Sequence, residues 1–162
     1  MRIPDYRNIV PGAVEGVYNI GRAVAQTPLG QNEPILLEFV RLRASQINGC
    51  AFCIDMHTKD ARALGESDER MHLVQVWREA PCFSDRERAA LAWTEHLTNI
   101  AHNHDDQAAF DAVSKHFSLE EVMAITWQIV EINTWNRLAR TSGMEPGHYV
   151  SRKKPLAATT TA

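Results

Sequence analysis

The segment that most constrains the fold is "SLEEVMAITWQIVEINTWNRLAR", beginning at Ser118. Ser118 and Glu121 have the Ser-x-x-Glu spacing of a capping box, in which each side chain meets a backbone amide that the helix itself leaves unpaired. The spacing predicts the longest helix of the chain over about 119–141. Val122, Ile125, Ile129 and Ile132 form one apolar stripe on it, and Met123, Trp127 and Val130 form a second beside it. A helix apolar over so much of its girth must be covered on several sides. In a chain of 162 residues, a subunit interface would help to cover it.

The rest of the chain reads the same way. No run alternates with period 2, and no Asn-Gly sits between β-branched segments, so the expected fold class is all-α. Residues 11–26 form a helix after Pro11, with Val14, Val17, Ile20 and Val24 on one face, and "TPLGQNEP" follows as a loop. Asn32 is the expected N-cap of the next helix, with Glu33 and Pro34 in its first turn. Asn48-Gly49 ends that helix, and another runs from about Cys50 to Leu64, with Gly65 just past its end. "ESDERMHLVQVWR" is a further helix. Ser84 and Glu87 are a second capping box ahead of "DRERAALAWTEHLTNI", and "DDQAAFDAVSKHF" is a short amphipathic segment. One domain over 1–150 is expected, with 151–162, "SRKKPLAATTTA", as a mobile tail.

Bulk properties exclude some functions. Apolar residues make up 44% and charged residues 23%, and the net charge is −3. No basic face for nucleic acid is implied. No apolar run approaches the ~18 residues of a membrane span. "MRIPDYRNIVPG" lacks the apolar core of a secretory signal, so a cytoplasmic location is expected. In that compartment thiols stay reduced, and a permanent disulfide staple is a poor use for paired cysteines.

Yet two of the three cysteines stand three apart in "INGCAFCIDMH". On a helix, Cys50, Cys53 and His57 fall within an arc of about 60°. Both sulfurs lie in the first turn, where the amide dipoles favour negative charge and lower a thiol pKa. His57, one turn on, can take the thiol proton. If helices 34–47 and 50–64 fold back on each other, Glu38 reaches the level of His57. The two lie about 13 and 10 Å from the turn, and the glutamate side chain spans the difference. Glu38 is then a candidate orienter or proton acceptor for the imidazole, directly or through water. A zinc site would need a second ligand pair from another element, and three ligands on two turns of one helix converge badly on a tetrahedral ion. Neither a metal nor a bound cofactor is therefore expected. Accidental core packing and redox chemistry remain as readings of the pair.

Cys82, beside Pro81, reads as a small buried hydrophobe. Trp77, Trp93, Trp127 and Trp135 read as core or interface residues, with a substrate channel as the other reading for Trp135. His72, His96, His102, His104, His116 and His148 lack zinc-protease spacing and read as surface or structural residues.

Glu38, eleven residues, "CAFC", three residues and His57 together resemble the E-x11-C-x2-C-x3-H core of the AhpD alkylhydroperoxidases. That group lies within the carboxymuconolactone decarboxylase superfamily. "INGCAFCIDMHTKDAR" and "REAPCFSDRERAALAWTEHLT" share the resemblance. It implies an all-α, AhpD-like helical bundle assembled as a trimer or hexamer. It also implies a thiol peroxidase for small hydroperoxides. Cys53 would attack the peroxide, Cys50 would resolve the sulfenic acid to a disulfide, and Glu38 and His57 would relay protons. An external dithiol of lipoamide or thioredoxin type would restore the thiols. One departure is Phe52, where the best-known peroxidases carry histidine. Two alternatives remain: a lyase or isomerase on the same scaffold, and a non-enzymatic redox sensor.

Overall fold

The computed structural model describes residue 3 and residues 5–155. Among these there is no strand. The helices are α1 (Tyr6–Ile9), α2 (Pro11–Gln26), α3 (Pro28–Asn32), α4 (Pro34–Ile47), α5 (Ala51–Leu64), α6 (Asp68–Leu73), α7 (Asp85–Thr98), α8 (Asp106–Val113) and α9 (Leu119–Ser142). Short 3-10 turns follow α6 and α7.

Helix α4 is the axis of the molecule and packs on α5, α7 and α9. It is buried around most of its girth: Leu36, Leu37, Phe39, Val40 and Leu42 all face other elements. Leu36, Leu37 and Val40 pack with Trp93 of α7 and with Val122, Ile125 and Ile129 of α9. Phe39 and Leu42 face the other way, against Met71, Val74, Trp77, Phe83 and Leu91. Each such side chain contributes about 1.5–3 kcal/mol by leaving water. Phe39 and Phe83 meet edge to face at 5.6 Å, and the Arg70 guanidinium lies 4.9 and 5.2 Å from the two ring centroids.

Both capping boxes are formed, at Ser84–Glu87 and at Ser118–Glu121. Gly65 and Gly143, at φ 106° and 71°, end α5 and α9 in the left-handed conformation that a side chain would oppose.

Four expectations need correction. The 27–34 loop contains helix α3, because the Thr27 hydroxyl accepts from the Gly30 amide at 3.1 Å and Pro28 occupies the first helical position. Asn32 therefore belongs to α3, and Glu33 is the N-cap of α4. The Glu33 side chain is drawn off to Arg86 instead of capping. The helix after Ser67 ends at Leu73 and tightens to a 3-10 turn over Val74–Val76. Cys82 is exposed, since the turn after Pro81 points inward with Phe83 instead.

On α9 the first stripe is buried as expected. The second is not covered within the chain: Met123, Trp127 and Val130 are 45%, 48% and 43% exposed. Trp77 and Trp93 are buried in the core. His96 stacks on Trp93 and pairs with Asp106 at 2.7 Å, whereas the five other surface histidines, His72, His102, His104, His116 and His148, are exposed. No helix among the described residues is long and apolar enough to cross a membrane. The segment expected as a tail is irregular over 151–155, and its beginning rests on α5 through Ser151. Residues 156–162 lie outside the described residues.

Candidate active site

The site is built on the turn between α4 and α5. Gly49 takes φ 63°, and the Cys50 amide donates back to the Ser45 carbonyl at 3.0 Å. Helix α9 clamps this turn. Asn48 Nδ2 donates to Asn133 and Asn136 at 3.0 and 2.8 Å, Asn136 donates to the Ser45 hydroxyl at 3.0 Å, and Arg140 holds the Asn48 carbonyl at 2.7 Å. The helical hairpin needed to bring Glu38 to His57 is therefore present.

Cys50 is the N-cap of α5, and its sulfur accepts from the Cys53 amide at 3.3 Å. The two sulfurs are joined as a disulfide, so this is the oxidised state of the pair. Both residues are buried, against Ala139 of α9. No acidic residue occupies the first turn of α5, which leaves the helix dipole to the sulfurs.

His57 Nδ1 lies 2.8 Å from Glu38 Oε2, a direct contact. Burial by itself would raise the Glu38 carboxyl, but the Arg41 charge and then the His57 hydrogen bond outweigh it and hold the group at about 2. An ionised carboxylate can only accept, so Nδ1 is the donor in this pair, and in the neutral imidazole Nε2 is the nitrogen with the lone pair. That Nε2 is buried and meets no partner among the described residues. An imidazole nitrogen left open in this way is available for acid–base chemistry.

Two groups of residues missed in the sequence complete the surroundings. Arg41, one turn past Glu38, binds it at 2.5 Å and also binds the buried Gln128, which in turn binds Glu131. Asp60, one turn past His57, accepts from Tyr149 at 2.8 Å and from Ser151 at 2.6 Å. Arg41 and Asp60 each follow a site residue by three, a helical signal that could have found them. Tyr149 lies on an irregular segment with no local signal at all.

Ligand atoms of Glu38, His57 and Asp60 lie within 4.8 Å of one another, close enough to suggest a cation site. The arrangement does not fit one well. Arg41 and His57 already hold Glu38, Lys153 approaches it at 4.0 Å, and two hydroxyls hold Asp60. Two carboxylates facing two cationic side chains need no further positive charge.

A cavity of about 330 Å³ opens against this group. Cys53 and His57 line it, and Cys50 does not. Its other walls are mainly apolar and include Phe52, Met56, Trp135 and Met144, with Tyr149 and Arg41 at the polar side. Trp135 thus takes the channel position rather than a core one. A larger groove of about 610 Å³ along α7 and α8 contains neither sulfur. Its Glu95 is already engaged by Arg43, Arg78 and Trp77. The smaller cavity is therefore the candidate active site.

An all-α bundle with a dithiol at the start of one helix and a Glu–His pair beside it defines the AhpD-like class. The chain belongs to the carboxymuconolactone decarboxylase family, whose model matches residues 13–96. YdfG of Bacillus subtilis (strain 168), an uncharacterized protein, is 33% identical over 139 residues, which is 86% of this chain and 92% of that protein. A solved structure from Agrobacterium tumefaciens, ATU0492, superposes with a TM-score of 0.83 at 38% identity, covering 92% of this chain and 100% of that one. It is a protein of unknown function for which an AhpD antioxidant-defence role has been put forward. An AhpD-core, peroxidase-related protein from Ralstonia eutropha JMP134 has a TM-score of 0.73 at 23% identity, over 85% of this chain and 72% of its own, a likeness of fold alone.

Proposed function

We propose that the chain is a thiol-dependent peroxidase that reduces hydroperoxides through a Cys50–Cys53 dithiol/disulfide cycle. The observation that carries this reading is the asymmetry of the pair: Cys53 lines the cavity with His57, and Cys50 lies behind it. In the reduced protein, His57 Nε2 takes the Cys53 proton. The thiolate attacks the terminal peroxide oxygen, forming an S–O bond as the O–O bond breaks. The departing alkoxide takes the proton back from His57 and leaves as an alcohol. Cys53 is now a sulfenic acid, and Cys50 attacks its sulfur, releasing water and closing the disulfide. An external dithiol, of lipoamide or thioredoxin type, reduces that bond and is oxidised in turn. Phe52 in the cavity wall offers no second base, so in this reading His57 manages the proton.

A cytoplasmic location and a homo-oligomer, a trimer or hexamer, complete the proposal. The uncovered Met123–Trp127–Val130 stripe supports association. The test is consumption of an organic hydroperoxide with a dithiol reductant. Cys53→Ser should abolish turnover. Cys50→Ser should consume one equivalent and stop, leaving a sulfenate that dimedone traps. Equal residual activity in the two variants would reject the assigned order of the cysteines.

A further inference from the structure

The segment after α9 returns across α5 and is fastened there at several points. The Gly147 amide donates to Asp55 at 3.0 Å, and Lys59 donates to the Gly147 carbonyl at 3.3 Å. Tyr149 and Ser151 both donate to one oxygen of Asp60, and Lys153 faces Glu38. Asp60 is 5% exposed and stands beside the Glu38–His57 pair. The Tyr149 ring also lines the cavity that Cys53 and His57 line. All of these segment residues lie outside the 13–96 family match.

We propose that the segment 147–153 is a working part of the site, with Tyr149 and Ser151 as positioning residues that fix the Asp60 carboxylate and moderate its charge beside His57. This rests on His57 serving Cys53 as its base, the reading given above. Burial, then the bond to Asp60, pushes the Tyr149 hydroxyl up to about 12, so it stays a donor throughout the neutral range. Two hydroxyl donors spread the Asp60 charge. Without them Asp60 acts on the imidazole more strongly, favours its protonated form and draws the proton from Cys53 more readily. Without Asp60 the opposite follows. The other groups around the imidazole stay constant in this comparison: Glu38 and Arg41 from α4, Lys153 from the segment itself, and Tyr6, Arg7, Tyr18 and Glu131 across the cavity.

The experiment is the pH profile of Cys53 alkylation in the full, reduced chain, read by tandem mass spectrometry that assigns the label to Cys53 rather than to Cys50 on the same peptide or to exposed Cys82. Alkylation follows the thiolate fraction. Asp60→Asn should move the midpoint up by about one pH unit. The double variant Tyr149→Phe/Ser151→Ala should move it down by about half a unit, with each single change moving it less. Ser151→Thr, which keeps the hydroxyl, should leave it in place. An unchanged profile in the double variant, or a shift of the same sign as Asp60→Asn, would overturn the proposal, provided near-ultraviolet circular dichroism shows each variant folded. If the wild-type chain consumes no peroxide, the peroxidase reading fails while the opposed shifts still stand or fall alone.

Discussion

Helices α7 and α9 begin like α5 and unlike it. All three have an N-cap side chain that accepts from the amide three residues on. In α7 and α9 the pair is serine and glutamate, and the glutamate reaches back to the cap amide. In α5 the same two positions are Cys50 and Cys53. The reciprocal glutamate is gone, and the Cys50 amide is served instead by the Ser45 carbonyl at the end of α4. One helix start has thus given up half of its box, keeping only the sulfur cap, and leaves its dipole to the sulfurs. The positions that stabilise α7 and α9 locally are free in α5 for chemistry, and the neighbours α4 and α9 hold it in place.

If that is right, damage to the neighbours should exceed damage to a cap. The largest effect is expected at Glu38, the carboxylate that α4 supplies to α5. Its folded value of about 2, against an ordinary 4.5, corresponds to about 3 kcal/mol. The folded value is depressed, so this contribution is complete above pH 4.5 and is lost as pH falls from there through about 2. Glu38→Gln in the oxidised protein should therefore lower stability at pH 7 and flatten its decline at acid pH. Urea midpoints between pH 2 and 7 measure both. An acid decline as steep in the variant as in the wild type would remove Glu38 as the main acid-sensitive prop of the site.

Next comes the clamp. Asn48→Ala removes both donors to α9 and leaves the Oδ1 of Asn136, a residue 1% exposed, without its partner. A cost of about 2 kcal/mol is expected. Amide hydrogen exchange should rise in the first turn of α5 and stay unchanged at the start of α7. Equal protection in both would mean that α5 holds its own start after all.

How much of this could be read from the sequence follows the same division. The sulfurs, His57 and Glu38 were legible because helical spacing places the first three on one face, and a single turn, Asn48-Gly49, sets the fourth against them. The starts of α7 and α9 were legible because Ser84, Glu87, Ser118 and Glu121 act within four residues. Helix α3 was missed because Gly30 and two prolines resemble a loop, although Pro28 suits a first turn and Thr27 caps it. The outward position of Cys82 depends on Phe83 finding its place against Phe39, a contact between residues far apart in the chain. Asp60 and Tyr149 are joined across 89 positions, and no periodicity encodes that pairing.

The smallest effects separate the two kinds of cap most finely. Ser84→Ala and Ser118→Ala should each cost about 1 kcal/mol, with the rate of Cys53 alkylation unaltered. Cys50→Ser, compared with the reduced wild type, should behave in the opposite sense. Serine is the better N-cap and sulfur the weaker acceptor, and neither protein has a disulfide under these conditions, so a gain of about 0.5 kcal/mol or less is expected. Thermal or urea unfolding under reducing conditions measures the difference. A loss as large as that of Ser84→Ala would show that Cys50 is held more by its packing on Ala139 than by its bond to the Cys53 amide. The start of α5 would then be a piece of core that carries a thiol, rather than a cap given over to chemistry.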